Sequence, residues 1–371
     1  MQIPILDLQA QLSSYRDAAL AAIERVVDSQ RFIMGDEVSL FEEHLAEFAG
    51  VSHARGVSSG TDALLAALMA LDVGPGDEVV TSPFTFFATA GVIHRLGARP
   101  VFVDIDPVSY NMTEAATRAA ITSRTKAIIP VHLYGQVCDL GSLYDEDGRP
   151  PIIEDAAQAL GAKFHGRMTG QLGDCSCVSF FPSKNLGGFG DGGAVLVNDE
   201  SLAERIHIMR VHGSKPKYYH HVVGGNFRLD ALQAAVLDVK LPFLTQWADA
   251  RRANAHRYTE LFEESGLVER GCVQPPQETD GAYHVYNQYV LRVQQRDELK
   301  AHLQNCGVGT MVYYPRPLHL QPCFEDLGYS RGDFPHSETA CEEVLAIPVY
   351  PELSNDEKLY VYESIRSFYD S

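Results

Sequence analysis

"SFFPSKNLGGFGDGGAVLVND", residues 179–199, sets one lysine, Lys184, in a stretch rich in glycine and poor in charge. A lysine is long, hydrophilic and seldom buried without a partner or a covalent task. The surrounding glycines let the backbone come close to a ligand. Three tasks are open to Lys184: phosphate clamp, nucleophile, or solvated loop residue. A phosphate loop of the GxxxxGK[ST] kind sets its glycines before the lysine and a helix directly after it. Here the glycines follow, and "GGAVLVND" (192–199) reads as a strand. The phosphate-loop reading fails on order and context. Because "CSCVSFF" (175–181) precedes and the link is too short for a helical crossover, these two strands are expected to be antiparallel.

Working outward, short β-branched runs alternate with helical patterns through the first two-thirds of the chain. "DEVVTSP" (77–83), "RPVFVDID" (99–106), "KAIIPVHLYG" (126–135) and "PPIIED" (150–155) read as strands. Several are apolar almost throughout, as in a sheet covered on both faces. "TDALLAALMALDV" (61–73) and "FATAGVIHRLG" (87–97) read as helices between them. This alternation predicts an α/β fold with a mostly parallel sheet. After Asp230 a long helical pattern runs to about Ser265, interrupted near Pro242. Beyond it, a strand candidate (286–293) and a helix candidate (296–307) predict a smaller α+β lobe. The expected division is a large domain over 1–245 and a small C-terminal domain over 246–371, with the N-terminal segment packing on the small one.

The 371 residues exceed one ordinary domain, so two lobes around a cleft are expected. A formal net charge of −19 argues against nucleic acid or an anionic membrane as partner, though not against a small anion in a local basic pocket. No run reaches a membrane span, and "MQIPILDLQAQ" lacks the features of a secretory signal, so a cytoplasmic location is expected. The 7 cysteines are scattered without a CxxC pair and are read as structural thiols. His220 and His221 have no matching ligand pair, so no metal is assigned.

Candidate chemistry gathers at the carboxyl ends of the expected strands, where open α/β sheets place ligands. Ser59, Gly60 and Thr61 open a helix, offering free N–H groups and a positive helix end to an anion, or else an ordinary N-cap. Asp155 ends an apolar strand, with Gln158 three residues on; a carboxylate there needs a cationic partner or serves as a cap. A lysine at a strand end, facing an anion site and an acid, suits covalent work on a carbonyl. Pyridoxal phosphate needs this set: a lysine, an acid for the ring nitrogen and a phosphate cradle.

"SSGTDAL", "PFTFFAT", "EDAAQALGA", "SFFPSKNLGGFGDGGAV" and "GGNFRLDALQAA" occur in an order and at spacings that resemble the DegT/DnrJ/EryC1/StrS sugar aminotransferase family. The resemblance covers nearly the whole chain, "VYYPRPLHLQP" (312–322) included. It implies a fold-type-I transferase with a seven-stranded-type sheet, and Lys184 as the residue that binds pyridoxal phosphate covalently and moves the proton. It further implies that Asp155 pairs with the ring nitrogen and titrates low, that Gln158 meets the ring hydroxyl and that Phe86 lies on the ring face. Gly60, Thr61, the Asp62 N–H and Ser179 would hold the phosphate, joined by Asn226 from the neighbouring subunit of a homodimer. Arg228 would meet the nucleotide diphosphate, and Tyr313 and Tyr314 the sugar. The implied reaction moves an amino group from L-glutamate or L-glutamine to a nucleotide-linked ketosugar, C3 ahead of C4. The rivals are a cyclitol or aromatic precursor as substrate, and a non-catalytic regulator sensing the cofactor or a sugar. A same-fold dehydratase is disfavoured because such relatives carry histidine at the lysine position.

Overall fold

The computed structural model describes residues 1–370. The larger sheet is built from β1 (His53–Val57), β2 (Glu78–Thr81), β3 (Arg99–Phe102), β4 (Thr125–Ile129) and β5 (Ile153–Asp155). A hairpin of β6 (Lys163–Phe164) and β7 (Arg167–Met168) follows, and β8 (Cys175–Ser179) and β9 (Gly193–Val197) then return to the sheet. Strands run in the orders β1-β9-β8-β5 and β3-β2-β4, and parallel bridges Ile128–Ile152 and Val131–Asp155 join the two sets into one seven-stranded layer. Only β9 runs against the rest, antiparallel to both β1 and β8. This is the return expected after the Lys184 loop.

Every residue of β2, β5 and β9 is buried, which explains their near-continuous apolar character under helices on both faces. The helix Gly60–Ala70 is apolar nearly all round because it is sunk against β8 and β9. Sequence reading missed β1, whose "HARGV" carries no β-branched run. Its Gly56 is needed for space: a side chain there would meet Leu229 at 2.9 Å, and its N–H is taken by Glu42 at 2.7 Å.

The C-terminal part carries β10 (Val273–Gln274), β11 (Ala282–Tyr283), β12 (Tyr289–Val293) and β13 (Val344–Ile347). β10, β12 and β13 form an antiparallel sheet, while β11 joins the β6–β7 hairpin. The helices Arg296–Asn305 and Asn355–Tyr369 pack on each other, and Leu299, Leu303, Val361 and Ile365 enter a core shared with Leu291 and Leu345. Ile3 belongs to that core, bridging Val308 in parallel. Pro242 sits in a short turn, Leu241–Phe243, between the helices Ala231–Lys240 and Leu244–Glu264. The latter helix gives Leu244 and Ala248 to the core around the large sheet, and Ala255, Tyr258 and Phe262 to the C-terminal one. No helix among the described residues is long and apolar enough to cross a membrane.

Candidate active site

The parallel strands all end on one edge of the sheet, and the loops leaving β1, β2, β5 and β8 enclose a cavity of about 520 Å³. Each loop arrives there for a local reason. After β1, Ser59 caps the helix Gly60–Ala70 by accepting the Asp62 N–H at 3.0 Å. The first N–H groups of a helix have no intrahelical acceptor, so those of Gly60 and Thr61 face the cavity mouth with the positive helix end. The approach to β8 is close: a side chain on Gly60 would lie 2.7 Å from the Ser179 Cβ, and one on Gly193 2.5 Å from the Ser59 carbonyl carbon. Only hydrogens fit between these three segments.

After β8 the chain doubles back. Lys184 N–H bonds to Phe181 O and Gly188 N–H to Phe180 O, both at 2.8 Å. A Cβ on Gly187 would stand 2.2 Å from the Pro182 carbonyl oxygen, so this turn requires glycine. Lys184 is carried inward, and burial pulls its ammonium down to about 8 against the opposing pull of Asp155.

Alternation along β5 sends Glu154 and Asp155 to opposite sides. Glu154 accepts the N–H groups of Gly170, Leu172 and Gly173 at 3.1, 3.2 and 2.9 Å. It also takes the His132 ring at 2.9 Å. The other ring nitrogen of His132 accepts the Cys138 N–H at 3.1 Å, so the Nε2 proton is the one donated to Glu154. His132 is thereby a structural residue outside the cavity. Asp155 turns inward, accepting from the Thr89 hydroxyl at 2.7 Å and the Ala157 N–H at 3.2 Å. Burial nevertheless holds its carboxyl above the usual range, outweighing Thr89, Ala157 and the Lys184 charge. The chain's own donors do not overcome burial, and such a carboxyl gains most from a further cation placed against it, the setting in which a low-titrating Asp155 was expected.

Gln158 lines the cavity with its amide fixed at both ends, accepting the Tyr134 N–H at 2.7 Å and donating to the Tyr314 hydroxyl at 3.1 Å. The Tyr134 hydroxyl donates to the Tyr313 carbonyl. Phe86 keeps 57% of its surface exposed, with its ring 6.3 Å from that of Tyr314. An aromatic residue left this open inside a cavity is a surface for a flat ligand.

Gly60, Thr61, Phe86, Asp155, Gln158, Ser179, Lys184, Tyr313 and Tyr314 therefore share one cavity. Asp62 and Arg228, also expected at the site, do not line it, nor does Asn226, which was expected there from a neighbouring subunit. Asp62 spends its N–H on the Ser59 cap and its carboxylate on the Ser58 and Ser59 hydroxyls at 2.6 and 3.0 Å. Asn226 and Arg228 lie on an extended stretch bridged to Val211 and Val57, away from the lining. Asn226 is exposed, whereas the Arg228 Nε is buried without a hydrogen-bond partner among the described residues. Sequence reading left Tyr134 unassigned and overlooked Thr89, Ser183 and Gln288, of which Ser183 and Gln288 line the cavity. Thr89 carried a faint signal, one helical turn past Thr85 in "PFTFFAT". His319 is a packing residue, buried and bonded to Glu338 at 3.1 Å. His220 and His221 bond to backbone carbonyls, and no metal-binding group of three ligands occurs among the described residues.

A buried amine, a buried carboxyl in want of a cation, an open aromatic face and a free helix N-terminus fit pyridoxal phosphate part by part. Residues 14–366 match the DegT/DnrJ/EryC1/StrS aminotransferase family. The chain belongs to this family and is an aminotransferase. It is 51% identical over 371 residues to the "Pleiotropic regulatory protein" of Geobacillus stearothermophilus, covering 100% of this chain and 99% of the relative. It is 42% identical over 367 residues to a UDP-N-acetyl-3-dehydro-alpha-D-glucosamine 3-aminotransferase of Acidithiobacillus ferrooxidans, covering 98% and 97% of the two chains. Among solved structures it resembles S. venezuelae DesV in complex with a ketimine intermediate, at a TM-score of 0.94 and 39% identity, over 100% of this chain and 99% of the other.

Proposed function

We propose that this aminotransferase moves an amino group from L-glutamate or L-glutamine to the C3 keto group of a nucleotide-linked sugar, with pyridoxal phosphate as cofactor. The observation that carries the reading is the meeting of half-buried Lys184 and buried Asp155 in one cavity with the first turn of the helix Gly60–Ala70. The name of the Acidithiobacillus relative, an enzyme of a UDP-linked 3-dehydro sugar, supports the substrate class and the carbon.

When bound, the cofactor supplies an electron sink for the carbon next to the migrating nitrogen. In this reading Lys184 would hold it and, as a free amine, would carry the proton to and from that carbon. A lysine lowered to about 8 has an appreciable neutral fraction near neutral pH, which an ordinary lysine lacks. Asp155 holds the ring nitrogen protonated, and Thr89 orients Asp155. Gln158 meets the ring hydroxyl, Phe86 covers the ring face, and Gly60, Thr61 and Ser179 take the phosphate. Tyr313 and Tyr314 line the sugar side. The exposed Asn226 completes the phosphate site of a second copy, and Arg228 of the same stretch meets the diphosphate, so the working unit is a cytoplasmic homodimer.

The name of the Geobacillus relative favours a second reading, a regulator that binds the cofactor without turnover. One experiment separates the two. Purified protein with pyridoxal phosphate is given L-glutamate or L-glutamine and dTDP- or UDP-linked 3-ketosugars, and products are read by mass spectrometry. A gain of one amino group at C3, abolished by Lys184→Ala, supports the enzyme. Visible cofactor absorbance with no aminated sugar from any donor pair favours the regulator.

A further inference from the structure

We propose that Lys240 is a positioning residue for Lys184, anchoring from beneath the turn that carries it. The inference rests on Lys184 being the lysine that binds the cofactor.

Lys240 ends the helix Ala231–Lys240 and is 2% exposed. It makes no ion pair among the described residues. Its ammonium donates to the Gly187 carbonyl and lies 5.0 Å from the Tyr15 ring centre and 5.8 Å from that of Trp247. Burying an ammonium without a carboxylate is costly, and an apolar side chain of similar length would fill the space more cheaply. What a methionine could not do is hold that carbonyl. Gly187 is three residues beyond Lys184, within the turn whose closure leaves no room for a Cβ.

The same helix grips the turn a second time. Gln233, two helical turns before Lys240 and so on the same face, accepts the Phe189 N–H at 2.8 Å. Side chains on Gly188 or Gly190 would meet the Gln233 amide at 2.8 and 3.0 Å. The Tyr15 ring joins both anchors, standing 6.5 Å from the Phe189 ring and 6.0 Å from the Trp247 ring. Lys240 does not line the cavity and cannot be the reacting amine. Its action is on the backbone of the turn, and through it on where the Lys184 amine sits. A displacement of about 1 Å at a reacting group costs on the order of 100-fold in rate.

The test compares Lys240→Met and Gln233→Ala with wild type and with Lys184→Ala, all as full-length protein. The readouts are the melting temperature without cofactor, the rate at which visible absorbance develops on adding pyridoxal phosphate, the fraction of Lys184 trapped by borohydride, and kcat and KM for the donor. Lys240→Met is expected to melt at or above the wild-type temperature, yet to load cofactor and turn over about tenfold or more slowly with KM within about twofold. Gln233→Ala is expected to slow loading in the same direction by a smaller factor. It keeps the inference testable if Lys240→Met does not fold. Loading and kcat at wild-type values in either folded variant, with Lys184→Ala blank, overturn the anchor alone. Absorbance that survives Lys184→Ala overturns the assigned site and this inference with it.

Discussion

Lys184 and Asp155 pull each other's protonation in opposite directions, and burial pulls harder on both. Lys184 in the cofactor-free protein is lowered to about 8. Its labelling by an amine-reactive reagent, followed by peptide mass spectrometry, should therefore rise with pH to a midpoint near 8. Asp155→Asn removes the charge that raises Lys184, so the midpoint should move lower still. Asp155 itself has a raised folded pKa. Between its ordinary value of 3.8 and that raised value, the folded state holds a proton the unfolded state has lost, so its contribution to stability falls as pH rises through this window. Asp155→Asn should accordingly leave the cofactor-free melting temperature at pH 7 equal or higher while lowering kcat by about 100-fold or more. Lys184 and Asp155 were both legible in the sequence because Asp155 ends an apolar strand and Lys184 follows one in a glycine-rich turn. Thr89 was not, since its bond to Asp155 depends on how the loop after β2 crosses β5.

At the level of elements, the helix Gly60–Ala70 serves the cavity through its first turn. Ser59→Ala removes the cap and should lower unfolding free energy by about 1 kcal/mol, read from the denaturant midpoint. It should also release the Asp62 N–H. Gly60→Ala acts differently, because its Cβ would press on Ser179 at 2.7 Å. Pushing the helix start away from Ser179 should weaken pyridoxal phosphate binding by about tenfold or more, measured by absorbance titration. The strand–helix alternation and the antiparallel return were readable from hydrophobic runs and loop length. β1 was not: its residues were chosen for the Glu42 and Leu229 contacts of Gly56, not for strand propensity. The cap on Asp62 was equally hidden, since an N-cap and an anion site share one sequence pattern.

For the whole molecule, the exposed Asn226 makes a sharp claim about two copies. Mixing Lys184→Ala with Asn226→Ala chains should restore about a quarter of wild-type activity, because each mixed dimer then holds one intact site. If Asn226 served its own chain, mixing would give no more than Asn226→Ala alone. The expectation of a shared site comes only through resemblance, as nothing in "GGNFR" itself says which copy it would face. The bridge between Ile3 and Val308 bears on how the molecule is made. Synthesis runs from the N-terminus, so Ile3 leaves the ribosome roughly 300 residues before its partner exists. The segment around Ile3 must therefore wait while the large sheet forms, and it enters the C-terminal core only after Val308 has been made.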